Sequence, residues 1–335
     1  MTDTPETTKP NRDVHSIKTR AGFTAIIGAP NAGKSTLVNA LVGEKVSIVT
    51  HKVQTTRFQI RGIAMLGDVK GEQAQIILID TPGIFKAKDT DRLSKSMVHA
   101  AWTGADDADA IVHVVDAPAM YRRMHDEGSA QDRLSVEDTE RVTAGLELRN
   151  RGNSFLALNK IDEIERDKLL EIISHFQGMD VYSEIFLISA LNHDGVKDLG
   201  KALSKSMPLS AYLYPPDQAA DIPSRLMAAE ITREKLFLRL HDELPYASTV
   251  ETESWKVQKD GSIRIGQVIY VRRPSQKPIV LGKGGRTIKD IGAQSRHEMQ
   301  NWLGLKVHLF LFVKVRDNWQ NDRARYAETG LEFDV

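Results

Sequence analysis

The chain has 335 residues, no cysteine, and 45 basic against 45 acidic side chains, for a formal net charge of zero. That excludes disulfides and thiolate metal sites, and it confines any nucleic-acid binding to a local basic face. Hydrophobic residues at 41% and charged residues at 27% describe a globular chain large enough for two domains, with neither an apolar run long enough to span a bilayer nor a signal-peptide core in Met1 to Lys18, so a cytoplasmic protein is expected.

Residues 1–20 are polar, with scattered charges and two prolines, and read as a flexible N-terminal tail. From 21 to 208, the apolar runs Phe23–Ile27, Gln59–Ala64, Ile76–Ile79, Ala110–Val115, Ser154–Leu158 and Glu184–Ile188 alternate with helical patterns. Strands alternating with helices predict an α/β domain whose doubly wound, mostly parallel sheet is covered on both faces. Pro215-Pro216 and then Pro223 predict an extended linker over 209–224. Beyond it, 225–317 reads as a smaller α+β domain. A helix over Arg225–His241 precedes strands over Ala247–Val257 and Ser262–Arg272, joined at the Asp260-Gly261 turn. A helix over Arg286–Leu303, a strand over Lys306–Val315 and a helix from about Asp317 follow, an α-β-β-α-β-α order. Residues 318–335 are polar and expected as a C-terminal tail.

The first apolar run leads into Gly28-Ala29-Pro30-Asn31-Ala32-Gly33-Lys34-Ser35, a G-x-x-x-x-G-K-S loop, and then a helix from Thr36 to Leu41. Gly28 and Gly33 let successive N–H groups turn inward on a β-phosphate. Lys34 adds charge toward the β- and γ-phosphates, and the Ser35 hydroxyl is a Mg2+ ligand. The chain is therefore expected to bind a nucleoside triphosphate. Asp80-Thr81-Pro82-Gly83 follows another strand, with Asp80 placed as the metal-side carboxylate and the Gly83 N–H near the γ-phosphate. Asn159-Lys160-Ile161-Asp162 selects the base. The Asp162 carboxylate accepts from N1–H and the N2 amine of guanine, which adenine lacks, and such a site rejects the wrong base by a factor on the order of 10⁴. Asn159 is expected to bond the base edge and anchor the phosphate loop, and the Lys160 stem to cover the ring. Ser189-Ala190 would offer a backbone N–H to guanine O6.

A second glycine loop, Gly282-Lys283-Gly284-Gly285, enters the helix that begins at Arg286, with Lys289 one turn on. A G-x-x-G in this element order reads as the clamp of a KH domain, whose groove takes single-stranded RNA against a held backbone. Lys256, Lys259, Arg264, Arg272, Arg273 and Lys277 either extend its basic face or are ordinary solvated side chains.

Together these motifs resemble the translation-factor-related GTPases, and Lys52-Val53-Gln54-Thr55-Thr56-Arg57 resembles switch I of the Era family, in which a GTPase domain precedes a type II KH domain. The resemblance covers about 21–320. It implies GTP and GDP as ligands, and Mg2+ held by Ser35, Asp80 and Thr56, with Thr55 as the alternative at switch I. Ile84 stands where a Ras-like enzyme has a water-orienting glutamine, so slow hydrolysis is implied, with Lys34, Thr56, Gly83 and Asn31 as the catalytic set. Asn31 matches an asparagine that helps hold K+ in related members, although asparagine also suits the turn. The implied partner is the 3′ region of 16S rRNA during 30S subunit maturation, for a monomer with peripheral contact at the inner membrane face. A GTPase whose KH-like domain docks protein or membrane partners is the alternative, against which the intact G-x-x-G speaks. Ala117–Ser135 and Val69–Gln73 are longer than the family pattern, with no role assigned to either.

Overall fold

The computed structural model describes residues 19–52, 55–67, 73–87, 91–149, 152–317, 319–323, 326, 329 and 331–335. Most of the expected N-terminal tail, the 69–72 turn, and Val53 and Gln54 of switch I lie outside the described residues.

The first unit is built on β1 (Arg20–Ile27), α1 (Lys34–Val42), β2 (Ile60–Gly67), β3 (Gln73–Asp80), α2 (Arg92–Asp106), β4 (Ala110–Asp116), α3 (Ala117–Met124), α4 (Ala130–Arg149), β5 (Ser154–Asn159), α5 (Arg166–Gln177), β6 (Glu184–Leu187), α6 (Val196–Ser206) and β7 (Ala220–Asp221). Its sheet runs β6-β5-β4-β1-β3-β2-β7, with every strand in one direction except β2, which is antiparallel to both its neighbours β3 and β7. Alternation along β1 divides the core. Ile26 packs with Leu37, Ile76 and Leu203 on one face, whereas Ala25 and Ile27 meet Ala101, Ile111 and Val142 on the other. Burial on both faces is why the central strands read as unbroken apolar runs. β1, β3 and β5 all end at the edge where Gly28, Thr81 and Lys160 begin their loops, so the crevice at the strands' C-terminal ends holds the motifs.

The segment expected as a linker is bound to this sheet. The Gln75 side-chain oxygen accepts from the Leu213 and Tyr214 N–H groups at 2.7 and 2.9 Å, and its amide donates to the Tyr214 carbonyl at 2.7 Å. Ala220–Asp221 then pairs antiparallel with β2 as a seventh strand. Extended backbone is what proline imposes, and extended backbone also satisfies a sheet edge.

The second unit consists of α7 (Ser224–Arg239), β8 (Ser248–Val257), β9 (Ile263–Val271), α8 (Gln276–Leu281), α9 (Arg286–Leu303) and β10 (Val307–Val315). Its sheet order is β10-β9-β8, with β9 parallel to β10 and antiparallel to β8. A short helix, α8, precedes the glycine loop, and a 3-10 turn at Trp319–Asn321 is followed by α-helical backbone at Arg323, Tyr326 and Thr329, in line with the helix expected from about Asp317. The C-terminal stretch is not a free tail. Tyr326 and Leu331 are buried against Phe58, Ile60, Met97 and Ala100 of the first unit. Isolated apolar residues among charges carry no periodicity, so the sequence pattern hid this docking.

Candidate functional site

The phosphate loop is fixed from behind by its neighbours. A Cβ at Gly28 (φ +148°) would lie 2.3 Å from the Val114 carbonyl oxygen, and one at Gly33 (φ +99°) 2.1 Å from Asn159 Nδ2. Glycine is therefore required at both positions, by close approach as well as by φ. Asn159 Nδ2 donates to the Ala32 carbonyl at 2.8 Å, while its Oδ1 accepts from the Ala190 N–H at 2.9 Å. Asn159 thus anchors the phosphate loop as expected, bracing it against the loop of Ala190, and its amide nitrogen keeps a second N–H.

A cleft of about 340 Å³ collects Pro30, Asn31, Gly33, Lys34, Ser35, Thr36, Thr56, Gly83, Lys160, Asp162 and Ala190. Asp162 is exposed in it and makes no hydrogen bond or ion pair among the described residues, as suits an acceptor for a base edge. Lys160 adopts φ +65° and its ammonium pairs with Asp116, so its stem lies along the wall of the cleft. Asp116 also accepts from the Ala119 N–H at 3.0 Å, capping α3. Residues 117–135, without a role in the sequence reading, form α3 and the start of α4, stitched together by Arg122 and Asp132 at 2.6 Å, and they bring Gln131 to the cleft.

At its floor, Lys34 donates to the Gly28 and Ala29 carbonyls at 3.1 and 2.8 Å. Burial lowers its ammonium pKa to about 8, against which the Asp80 charge pulls upward. Ser35 Oγ donates to Asp80 Oδ2 at 2.7 Å, and Thr56 Oγ1 stands 2.9 Å from Ser35 Oγ. Thr55 Oγ1 instead faces the Lys52 carbonyl and Thr50, so Thr56 rather than Thr55 stands beside Ser35 and Asp80. Asp80 is fully buried, its Oδ1 has no partner among the described residues, and burial raises its pKa despite the Ser47, Ser35 and Lys34 interactions. A buried carboxylate with the Ser35 and Thr56 hydroxyls at its Oδ2 and no partner at Oδ1 among the described residues suits a hard divalent cation with oxygen ligands, so Ser35, Thr56 and Asp80 fit Mg2+. Ser47, which the sequence reading missed, donates to Asp80 Oδ2 at 2.5 Å and is itself held by Asn39 of α1. Gly83 lies against Pro30, where a Cβ would come within 2.9 Å. Ile84 is buried among Ala25, Ile27 and Ala101, facing away from the cleft. Asn31 (φ +62°) donates from Nδ2 to the His51 carbonyl at 3.1 Å, tying the phosphate loop to switch I.

Switch I is also held by the second unit. The Arg57 guanidinium donates to the Ser248 and Pro245 carbonyls at 2.9 and 3.3 Å and lies over the Phe237 and Trp319 rings. Arg233 of α7 donates to the Thr55 carbonyl at 2.5 Å and pairs with Glu230, while Glu234 accepts from the Val49 N–H and from Lys45. Glu230, Arg233 and Glu234 are all buried, and charges at i, i+3 and i+4 on a buried face were the available signal.

In the distal loop, Gly282, Gly284 and Gly285 have φ of +73°, +62° and +76°. Lys283, Arg286 and Lys289 are exposed there and form no ion pair among the described residues.

Comparison with known proteins places these features. A family described as 50S ribosome-binding GTPase matches residues 23–160, and a KH domain family matches 243–320. The chain is similar to GTPase Era of Maricaulis maris, 56% identical over 316 residues that cover 94% of this chain and 98% of the relative. This chain belongs to the GTPase Era family. GTPase Era of Caulobacter vibrioides is 54% identical, covering 95% of the chain and 98% of that protein. A variant of Aquifex aeolicus Era bound to GDP·AlF4− matches with a TM-score of 0.80 and 34% identity, over 94% of this chain and all of that one. A second Era structure, in complex with MgGDPNP and nucleotides 1506–1542 of 16S ribosomal RNA, also has a TM-score of 0.80 at 34% identity, covering 95% and 100%. As an Era-family member the protein is a GTPase, built from a P-loop domain with a mostly parallel sheet and a KH domain.

Proposed function

We propose that this GTPase is a nucleotide-timed RNA clamp that holds the 3′ region of 16S rRNA while the 30S subunit matures, acting as a cytoplasmic monomer. The observation that carries the reading is one connected set of contacts. It runs from Asp80 and Ser35 through Thr56 to Arg57, and from Arg57 into the carbonyls of the KH unit. The Era complex with MgGDPNP and a 16S rRNA segment supports the choice of ligands.

Backbone N–H groups of the phosphate loop and the Lys34 ammonium would bind the triphosphate, and Asp162 would select guanine. Mg2+, held by Ser35, Thr56 and Asp80, would supply charge neutralisation at the β- and γ-oxygens. Thr56 closes over the nucleotide and Gly83 lets the chain approach it. With Ile84 in the core, no glutamine orients the attacking water, so hydrolysis is slow and depends on what enters the cleft. K+ beside Asn31 belongs to this reading. Loss of the γ-phosphate frees Thr56, and Arg57 passes that release to the KH unit.

The test combines GTPase rates with binding of a single-stranded 16S 3′-end RNA. Hydrolysis should be faster in potassium than in sodium, and Gly284→Asp should abolish RNA binding while leaving GDP binding intact. RNA binding that survives Gly284→Asp would sink the clamp, and equal rates in the two salts would remove the potassium role.

A further inference from the structure

The KH sheet has a second face, turned away from its helices. Along β10, Val307, Leu309, Leu311 and Val313 face the helices, where they pack with the KH core. The intervening residues His308, Phe310, Phe312 and Lys314 lie on the opposite face. Phe310 and Phe312 are 43% and 57% exposed there, although they sit in the middle of a strand.

Their neighbours follow from the register. Arg264 pairs with His308 and, on the other side, with Lys256, which forms a row of basic side chains across three strands. The next row is Ser254, Gly266 and Phe310, and the one after it Glu251, Val268 and Phe312. The Arg264 guanidinium lies 4.7 Å from the Phe310 ring centroid. Lys256 and Arg264 are exposed and have no ion-pair partner among the described residues. At the far end Lys314 is neutralised by Glu253 at 3.0 Å. Gly266 leaves a shallow floor beside Phe310, since a Cβ there would come within 2.5 Å of Ser254 Oγ.

From these features we infer that the outer face of the KH sheet is a second RNA contact, a stacking platform for bases next to those held by the glycine loop. This rests on the RNA-clamp reading above. Two aromatic side chains at i and i+2 of a strand stand about 6.7 Å apart. That spacing matches two steps of stacked bases at about 3.4 Å each. Stacking on sheet-borne aromatics is how single-stranded RNA is held elsewhere, and any base serves because each has a π-face. The unpaired cations supply the charge complementarity that a phosphate backbone requires. Continuity supplies the route. β10 is the edge strand, α8 and α9 on either side of the glycine loop both pack on it, and a strand leaving that loop across the edge meets Phe310 and Phe312.

The experiment uses the full-length protein with a GTP analogue and single-stranded 16S 3′-end RNAs, starting at about four nucleotides, the reach of a KH clamp. These are lengthened stepwise in each direction. Wild-type affinity should rise at one length as bases reach the platform. The Phe310→Ala/Phe312→Ala pair should remove that rise, about fivefold or more, while leaving the shortest RNA, GTPase rate and melting temperature unchanged. Phe310→Trp should keep the rise, because a larger π-face still stacks. Affinities that match wild type at every length would overturn the platform, including the case where this face docks a protein. Gly284→Asp separates the two failures. If it spares the shortest RNA, the clamp reading itself falls. If it abolishes that binding while the double variant behaves as wild type, the platform alone falls.

Discussion

Lys34 shows how one residue carries information at two levels. Its place in G-x-x-x-x-G-K-S assigns it to phosphate, but its acidity comes from burial, which brings its pKa to about 8. Only the charged ammonium attracts phosphate. In the free protein that charge is present below pH 8 and is lost as pH rises through it, so GTP binding above pH 8 must take up a proton. Affinity should be flat between pH 7 and 7.5, then weaken toward a tenfold loss per unit above 8. Calorimetry of GDP binding in buffers of different ionisation enthalpy would measure the uptake, and zero uptake at pH 8.5 would count against it. Asp80 and Ile84 were legible in the same way. Ser47 was not, because a serine in an unremarkable loop becomes a partner of Asp80 only when α1 folds and Asn39 holds its backbone.

At the scale of elements, α7 belongs to both units. Its expected amphipathic face is charged where it meets switch I, and Arg57 crosses in the other direction. Burial, together with the neighbouring Arg233 charge, lowers the Arg57 pKa to about 9, and carbonyl oxygens and aromatic faces compensate. Charge-assisted hydrogen bonds of this kind contribute roughly 1.5–3 kcal/mol each. If Arg57 holds Thr56 in place, Arg57→Ala should weaken Mg2+-GTP-analogue binding by about tenfold or more. GDP binding should change by less than about twofold, since GDP does not need switch I closed. The difference in RNA affinity between the two nucleotide states should shrink with it. Equal losses for both nucleotides would instead mark Arg57 as a structural residue.

At the scale of the whole molecule, a buried histidine in the central sheet bears on acid stability. His113 lies in β4, fully buried, with Nδ1 2.7 Å from the Tyr182 hydroxyl and no partner at Nε2 among the described residues. Burial depresses its pKa to about 3. Because the folded value lies below the ordinary 6.5, the unfolded chain binds the extra proton between pH 6.5 and about 3. Stability is therefore complete above pH 6.5 and declines as pH falls through that window, by several kcal/mol at about 1.4 kcal/mol per unit. Urea unfolding of wild type and His113→Phe between pH 7 and 4 should show a shallower acid decline in the variant. Parallel curves would mean the carboxylates alone set it.

The sequence by itself determined the α/β and α+β units, the phosphate-loop motif, the place of Asp162 at the end of β5 and the Gly282–Gly285 loop at the start of α9. Each rests on local chemistry, on periodicity, or on residues a few positions apart. Tertiary structure decided which neighbours those residues acquired. It drew the 209–224 segment onto a sheet edge and seated Tyr326 and Leu331 on the GTPase domain. It also joined Arg57 to a carbonyl of Ser248, a residue 191 positions away. Contacts at that separation depend on how whole elements dock, and no pattern within a short window of sequence encodes them.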